Sequence, residues 1–331
     1  MCGIVGFVDN KPKSKKEKII KDMADKIAHR GPDAAGYYND SVVSLGHRRL
    51  SIIDLSDKGT QPIYNEDKSK VIVFNGEIYN YKEIKNVLLQ KGHKFRTETD
   101  TEVILHGYEE YGTKLFEKLR GMFAFVIYDK EKNELVGARD HFGIKPLYYY
   151  KEKDNFMFAS EIKAFLAHPD FKKEVNKKAL KMYLIFQYSV FEETFFKNVF
   201  KLKPGHYFIY KNNKLEIKEF FNIDFKKSKK SFNSLKKELQ NILEDSIKYH
   251  QMTSDVEVGS YLSGGVDSSY VVSVAKPDKT FSVGFSEAGF DETEYAKELS
   301  KMLKIKNYQK HISSDDFFNA LPIVQYHTDE P

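Results

Sequence analysis

The 331-residue sequence predicts two unequal domains. The first, over residues 2–222, is α+β and dominated by antiparallel sheet. The second, over 236–331, is α/β with an incomplete parallel sheet, and a linker at 223–235 joins them. Three observations carry this. Short apolar runs in the first two-thirds are separated by polar turns, as hairpins require. The Lys/Ser cluster KKSKKSFNSLKK at 226–237 marks a change of composition. Beyond it, helical and strand-like segments alternate, the pattern of a doubly wound sheet.

Residues 2–8 read as a small apolar strand, and Ser14 can cap a helix running to about residue 28. A buried strand at 71–74 leads into a polar turn, Asn75-Gly76-Glu77. Residues 79–90 alternate at helical period and stop at Gly92. Asp100 opens a helix to about residue 111, with Glu102 in the first turn, where the helix dipole favours an acid. Hairpins follow at 121–129 with 134–139, at 146–150 with 156–160, and at 205–210 with 214–220, the last turning at Asn212-Asn213. In the second domain a helix from about 234 ends near 251. A strand at 257–262 then hands over through SGGVDSS to a helix at 268–275. A strand at 280–285, a helix at 292–303 and a short strand near 308–312 complete the pattern.

Composition narrows the function. With 41% hydrophobic residues, including 26 Phe and 21 Tyr, the chain has apolar material for real cores. Its single cysteine, Cys2, excludes an intrachain disulfide framework and any Cys-based zinc cluster. A net charge of +5 is too weak for a nucleic-acid groove. No apolar run has the length of a membrane span, and the N-terminus turns polar too soon for a signal peptide. A cytoplasmic protein with neither nucleic-acid nor membrane partners is expected.

Two places carry chemistry. Ser263-Gly264-Gly265-Val266-Asp267-Ser268-Ser269 sits where a buried strand passes into a helix. Glycines let backbone approach a phosphate, and the helix start supplies free N–H groups. The bland alternative is a Gly-rich turn with a serine cap. Asp267 suits a metal ion or a helix start better than direct phosphate contact. The loop lacks the Gly-Lys-Ser/Thr ending of a Walker A motif and resembles the pyrophosphate loop of ATP pyrophosphatases. Sulfur-transferring members usually need cysteines in or near this domain, so nitrogen transfer is favoured.

Cys2 alone reads either as a small buried residue opening a strand or as a nucleophile. Removal of Met1 would place an α-amino group beside the thiol as its base. Its company is informative: RGPD at 30–33, HRRLSIIDLS at 47–56, QP at 61–62 and NGEIYN at 75–80. TDTEVIL at 99–105, GMFAF at 121–125 and RDHFGIKPLYY at 139–149 follow. Together with SGGVDSS, these closely resemble the glutamine-hydrolysing asparagine synthetases, in consistent order from residue 2 to 331.

The resemblance implies an N-terminal-nucleophile fold of stacked antiparallel sheets flanked by helices, followed by a pyrophosphatase domain. It makes Cys2 the nucleophile on the glutamine amide, with Asn75 and Gly76 as the oxyanion hole. Arg49 would clamp the α-carboxylate beside Leu50, and Glu77 and Asp100 would receive the α-ammonium. Leu262, Val283 and Gly284 would border adenine. Ser263, Gly264, Gly265, Ser268 and Ser269 would hold pyrophosphate, with Mg²⁺ at Asp267. The implied reaction is ATP-dependent amidation of aspartate through β-aspartyl-AMP. Ammonia would pass from glutamine through a tunnel, and a homodimer is compatible. Singly, Asn75-Gly76 is also a common turn pair, Asp100 a helix cap and Arg49 a surface charge.

The sequence departs from the family after Asp329-Glu330-Pro331, lacking a second glycine-rich acidic loop and a downstream lysine. It is read as a fragment with a whole glutaminase half, expected to hydrolyse glutamine and make little asparagine. The alternatives are a related amidotransferase for another carboxylate and a non-catalytic partner of a longer synthetase.

Overall fold

A computed structural model of the chain describes residues 1–329 apart from 10, 253 and 288. The chain forms two units, Met1–Asp224 with the segment from Thr328, and Phe225–His327. Glu330 and Pro331 of the terminal acidic-proline stretch lie outside the described residues. Asp329 belongs with the first unit, where it accepts the Ile162 N–H at 2.6 Å.

Two six-stranded sheets build the first unit. One runs β10 (Val199–Lys201), β8 (Tyr148–Glu152), β9 (Asn155–Ala159), β1 (Gly3–Val8), β3 (Val43–Arg49) and β2 (Ala34–Asn39). The other runs β12 (Lys214–Glu219), β11 (His206–Lys211), β7 (Glu134–Arg139), β6 (Gly121–Asp129), β5 (Lys70–Ile78) and β4 (Ile63–Tyr64). Every pairing within them is antiparallel. Ile4, Val43 and Leu45 from one sheet pack with Val71, Val73 and Val126 from the other. On the outer faces, α1 (Lys13–Asp25) covers the first sheet through Ile20 and Met23. The second sheet is covered by α2 (Tyr81–Gln90) and α3 (Asp100–Tyr111) through Leu88, Val103 and Ile104. The order helix–sheet–sheet–helix explains why Val71–Phe74 is apolar at every position: both faces are buried.

Two local expectations are corrected. Ser14 does not cap α1, because Pro12 takes the N-cap position with ψ 141° and the helix already runs at Lys13. The helix ends at Asp25, and Ala28–Arg30 form a separate 3₁₀ turn. More importantly, Asn75-Gly76-Glu77 is no turn. These residues continue β5, paired with Ala124, Phe123 and Met122 of β6. A Cβ on Gly76 would lie 2.2 Å from the Met122 carbonyl oxygen, so close approach, not turning, demands this glycine.

Sequence reasoning also missed β2, β3 and α4 (Lys177–Phe186), although Asn176 caps α4 by accepting the Lys178 and Ala179 N–H groups.

The second unit opens with α5 (Phe232–Met252), which begins inside the stretch read as linker. Its sheet is parallel, in the order β13 (Gly259–Tyr261), β14 (Lys279–Phe285), β15 (Lys306–Ile312). The intervening helices are α6 (Val266–Ala275) and α7 (Thr293–Leu303). A final helix, α8 (Ser314–Thr328), was not foreseen and tolerates Pro322 within it. The buried core is small, with Leu262, Val272 and Ala296 at its centre. Phe290, Phe318 and Ile323 stay largely exposed. Among the described residues, no helix is long and apolar enough to cross a membrane.

Candidate active site

Cys2 stands immediately before β1 and lines a cavity with Arg49, Leu50, Asn75, Gly76, Glu77 and Asp100. All seven residues predicted for the first domain's site thus share one wall system, although they come from the residue before β1, the end of β3 and the residue after it, β5, and the first residue of α3. A wider groove of about 680 Å³, lined by Val8, Val43 and Tyr210, contains none of them. The smaller cavity is the one with convergent chemistry.

The thiol is held by backbone. Leu50 N–H donates to Sγ at 3.4 Å and the Leu50 carbonyl accepts from it at 3.5 Å. Burial pushes the Cys2 thiol up, while the hydrogen bond at Leu50 and the positive charge of Arg49 pull it down. Burial likewise lowers the α-amino group of Met1. Arg30 supports this corner by donating Nε–H to the Cys2 carbonyl at 2.9 Å and pairing with Glu161. Asp33 accepts the Ser51 N–H at 2.8 Å, steadying the loop beyond Leu50.

Asn75 is 1% exposed, and both Oδ1 and Nδ2 lack a hydrogen-bond partner within the chain. Leaving such a group unsatisfied costs about 1–3 kcal/mol, so a side chain in this state is poised for a ligand. Gly76 adds a second donor through strand geometry. Short β4 covers only Val71 and Ile72 on this side of β5. The Phe74 N–H therefore goes to the Gln61 side chain at 2.6 Å and the Ile78 N–H to Asp100 Oδ2 at 2.9 Å. By the two-residue alternation of a strand, the Gly76 N–H points to this same strandless side, between those two.

Arg49 is 5% exposed, and its guanidinium donates to the carbonyls of Ser56 at 2.6 Å, Ile53 and Asp54. It therefore organises the loop over residues 51–60 as well as facing the cavity. Glu77 and Asp100 are both buried, and Asp100 is pushed up to about 7 by desolvation, with the Glu77 charge adding to it. Asp100 is the first residue of its helix, and Thr99 takes the cap position. Lys145 was missed by the sequence reading. It is 4% exposed in the same cavity, and burial lowers its ammonium. It lies within RDHFGIKPLYY, but no local spacing ties it to Cys2.

In the second unit the loop lies between β13 and α6. Gly264 has φ +92°, and a Cβ there would meet the Glu292 carbonyl oxygen at 2.8 Å. Ser263 Oγ and Ser268 Oγ lie 3.0 Å apart, and Ser263 Oγ accepts the Gly265 N–H at 3.3 Å. Ser269 N–H is spent on the Gly265 carbonyl at 3.0 Å as α6 begins. Asp267 sits exposed in the first helical turn. Mg²⁺ typically uses one or two carboxylates plus phosphate oxygens and water, and Asp267 offers a single exposed carboxylate at this glycine-rich strand–helix turn, a donor of the kind Mg²⁺ takes. Leu262 departs from expectation: its side chain is 1% exposed in the core. Its N–H goes to the Phe281 carbonyl, and its own carbonyl accepts from Ser282 Oγ. Val283 is 55% exposed, and beside it Gly284 has no room for a Cβ against Asp291 Oδ1 at 2.5 Å.

Comparison with known proteins places both units. A glutamine amidotransferase domain family matches residues 1–221, and an asparagine synthase family matches residues 238–331. "Asparagine synthetase [glutamine-hydrolyzing] 1" of Bacillus subtilis is 46% identical over 340 residues, covering 100% of this chain and 53% of its own length. A "putative asparagine synthetase [glutamine-hydrolyzing] 2" of Methanocaldococcus jannaschii is 36% identical, with 100% of this chain and 68% of that protein covered. Against the Bacillus relative, the chain spans about half the length. Among solved structures, a B. subtilis glutamine phosphoribosylpyrophosphate amidotransferase aligns with TM-score 0.50 and 17% identity, over 93% of this chain and 65% of that one. That likeness concerns the fold.

Proposed function

Because this chain belongs to the family of glutamine-hydrolysing asparagine synthetases, we propose that its first unit releases ammonia from glutamine for an ATP-dependent amidation of aspartate. The observation that carries the glutaminase reading is the buried, unpartnered Asn75 amide beside the strandless Gly76 N–H, in one cavity with the Cys2 thiol.

The steps follow from these groups. With Met1 removed, the Cys2 α-amine takes the thiol proton, and Sγ bonds to the glutamine side-chain carbonyl carbon. Negative charge moves onto the carbonyl oxygen, where Asn75 Nδ2–H and Gly76 N–H stabilise it. Collapse breaks the C–N bond, the amine's proton goes to the leaving nitrogen, and ammonia departs. Water then cleaves the thioester to glutamate and restores the thiol. Arg49 pairs with the substrate α-carboxylate beside Leu50, and Glu77 with Asp100 receives its α-ammonium. Asn75→Ala should lower kcat for glutamine about 10²- to 10³-fold with little change in KM, since the amide acts on charge present only in the transition state.

For the second unit, the reading is adenylation of the aspartate side chain. Ser263, Gly264, Gly265, Ser268 and Ser269 would hold the leaving pyrophosphate at the start of α6, and Val283 with Gly284 would border adenine. Asp267 would hold Mg²⁺, which supplies charge neutralisation on the phosphates when bound. A cytoplasmic location and a homodimer accompany the reading as family expectations.

Glutamate release from glutamine by this chain, without ATP, tests the first half directly. The acceptor is tested in a protein extended to the length of the Bacillus relative. Pyrophosphate release that depends on aspartate supports asparagine synthesis. Release with a different carboxylate would place the protein among related amidotransferases.

A further inference from the structure

Glu66, His93, His106 and Glu109 come from three separate segments of the first unit: the turn after β4, the stretch after α2, and α3 itself. One ligand atom each from Glu66, His93 and His106 lies within 4.8 Å of the others. Glu109 Oε2 is 2.8 Å from His106 Nδ1 and 4.0 Å from His93 Nδ1, and Glu66 Oε2 is 3.7 Å from His106 Nδ1. We propose that these four side chains form a binding site for one divalent transition-metal ion of the zinc class, distinct from the glutamine cavity.

The second polar atom of each of the four groups has a neighbour of its own. Glu109 Oε1 accepts from Asn65 Nδ2 at 2.7 Å, which turns Oε2 toward the cluster. Glu66 Oε1 accepts the Lys94 N–H at 3.2 Å, leaving Oε2 toward His106. His106 Nε2 lies 3.5 Å from Glu102 Oε1, and His93 Nε2 lies 3.5 Å from Glu110 Oε2. Glu102 is itself fixed, accepting the N–H groups of Arg96 and Thr97. Each imidazole therefore has a carboxylate behind it and Nδ1 turned to a common point. That carboxylate–histidine backing is the outer shell that orients imidazole ligands on zinc. Two imidazoles with two carboxylates suit zinc, cobalt or nickel rather than the all-oxygen preference of magnesium or calcium.

Zinc ligated by nitrogen and oxygen at about 2.0–2.2 Å brings ligand atoms to roughly 3.3 Å from one another. The present separations require Glu66 and His93 to close in by about 1 Å, by the same reckoning. Glu66 is 40% exposed in its side chain and free to do so, whereas His106, 1% exposed, is the fixed member. On binding, the proton shared between His106 Nδ1 and Glu109 Oε2 leaves to solvent and the metal takes its place. The ion would tie the C-terminal half of α3 to the turn after β4 and to the stretch after α2.

The test uses the whole chain, stripped with a chelator and titrated with Zn²⁺, and with Co²⁺ as a coloured probe of geometry. The expected results are one tight equivalent, intense visible absorption from four-coordinate Co²⁺, and a rise in Tm on adding Zn²⁺. His93→Ala and Glu66→Gln, at partly exposed positions that tolerate change, should each lose that equivalent by 100-fold or more. Both variants should keep glutamine hydrolysis. The inference is overturned if no equivalent binds tightly, or if zinc binds equally well to both variants. Either result would identify the group as a proton-bridged ionic cluster.

Discussion

Replacing Cys2 by alanine should reduce glutamate release from glutamine by at least 10⁴-fold, to background, while leaving the fold intact. The magnitude follows from losing the covalent step itself, for which neither water nor the remaining cavity offers a substitute. The side chain is small, and the Sγ contacts with Leu50 are long, at 3.4 and 3.5 Å, so little packing is lost. Circular dichroism and Tm should therefore change little while activity disappears. A second arm isolates the base. Chain that retains Met1 keeps the thiol in place, but burial pushes that thiol up. It should be nearly as inactive as the alanine variant until an aminopeptidase removes Met1. Substantial hydrolysis by Cys2→Ala would sink the nucleophile assignment.

Glutamine capture should fail on the acid side of neutrality because of Asp100. Its carboxyl is pushed from the usual 3.8 up to about 7, chiefly by burial. Below pH 7 it is protonated and offers no charge to the substrate's α-ammonium. In this range kcat/KM for glutamine should fall by up to about tenfold per pH unit. Asp100→Asn should remove that limb and cost about 10- to 100-fold in kcat/KM at pH 8, the worth of a charge-assisted hydrogen bond.

Stability should move the opposite way. The folded pKa lies above the unfolded one, so the folded state takes up the proton first. Stability therefore declines as pH rises from about 4 to about 7 and is level beyond. The asparagine variant, which carries no buried charge, should melt higher than the parent at pH 8 and not at pH 4. An unchanged acid limb in Asp100→Asn would show that another group governs binding.

How much of this was legible in sequence differs residue by residue. Arg49, Asn75 and Asp100 were singled out because each lies in a contiguous motif whose residue types suit an amino-acid substrate, and Cys2 because of its position behind Met1 in the company of those motifs. The conformation of Asn75-Gly76-Glu77 was not. Asn-Gly is a strong local turn signal, yet nine consecutive pairs between Lys70–Ile78 and Gly121–Asp129 override it. The ionisation of Asp100 was equally invisible, because it depends on burial by residues far away in the chain. Lys145 lay inside the quoted RDHFGIKPLYY motif, but nothing in its spacing tied it to Cys2. In the second unit the glycine-rich loop was placed correctly between strand and helix. The inward turn of Leu262 was not foreseen, because a strand-end leucine looks the same whether it faces a ligand or a core.

The strandless stretch of β5 has one more consequence. A sheet edge normally invites another chain to continue it, and proteins blunt such edges to avoid aggregation. Here the vacancy is sealed at Phe74 and Ile78 by the Gln61 and Asp100 side chains, which leaves a gap one residue wide at Gly76. A peptide strand cannot enter so short an opening, but a single amide can. In the proposed reaction the carboxamide of glutamine takes the place of one peptide unit of a strand that was never built. Selectivity for a side-chain amide over a polypeptide would then arise from the width of the interruption as much as from the charges around it.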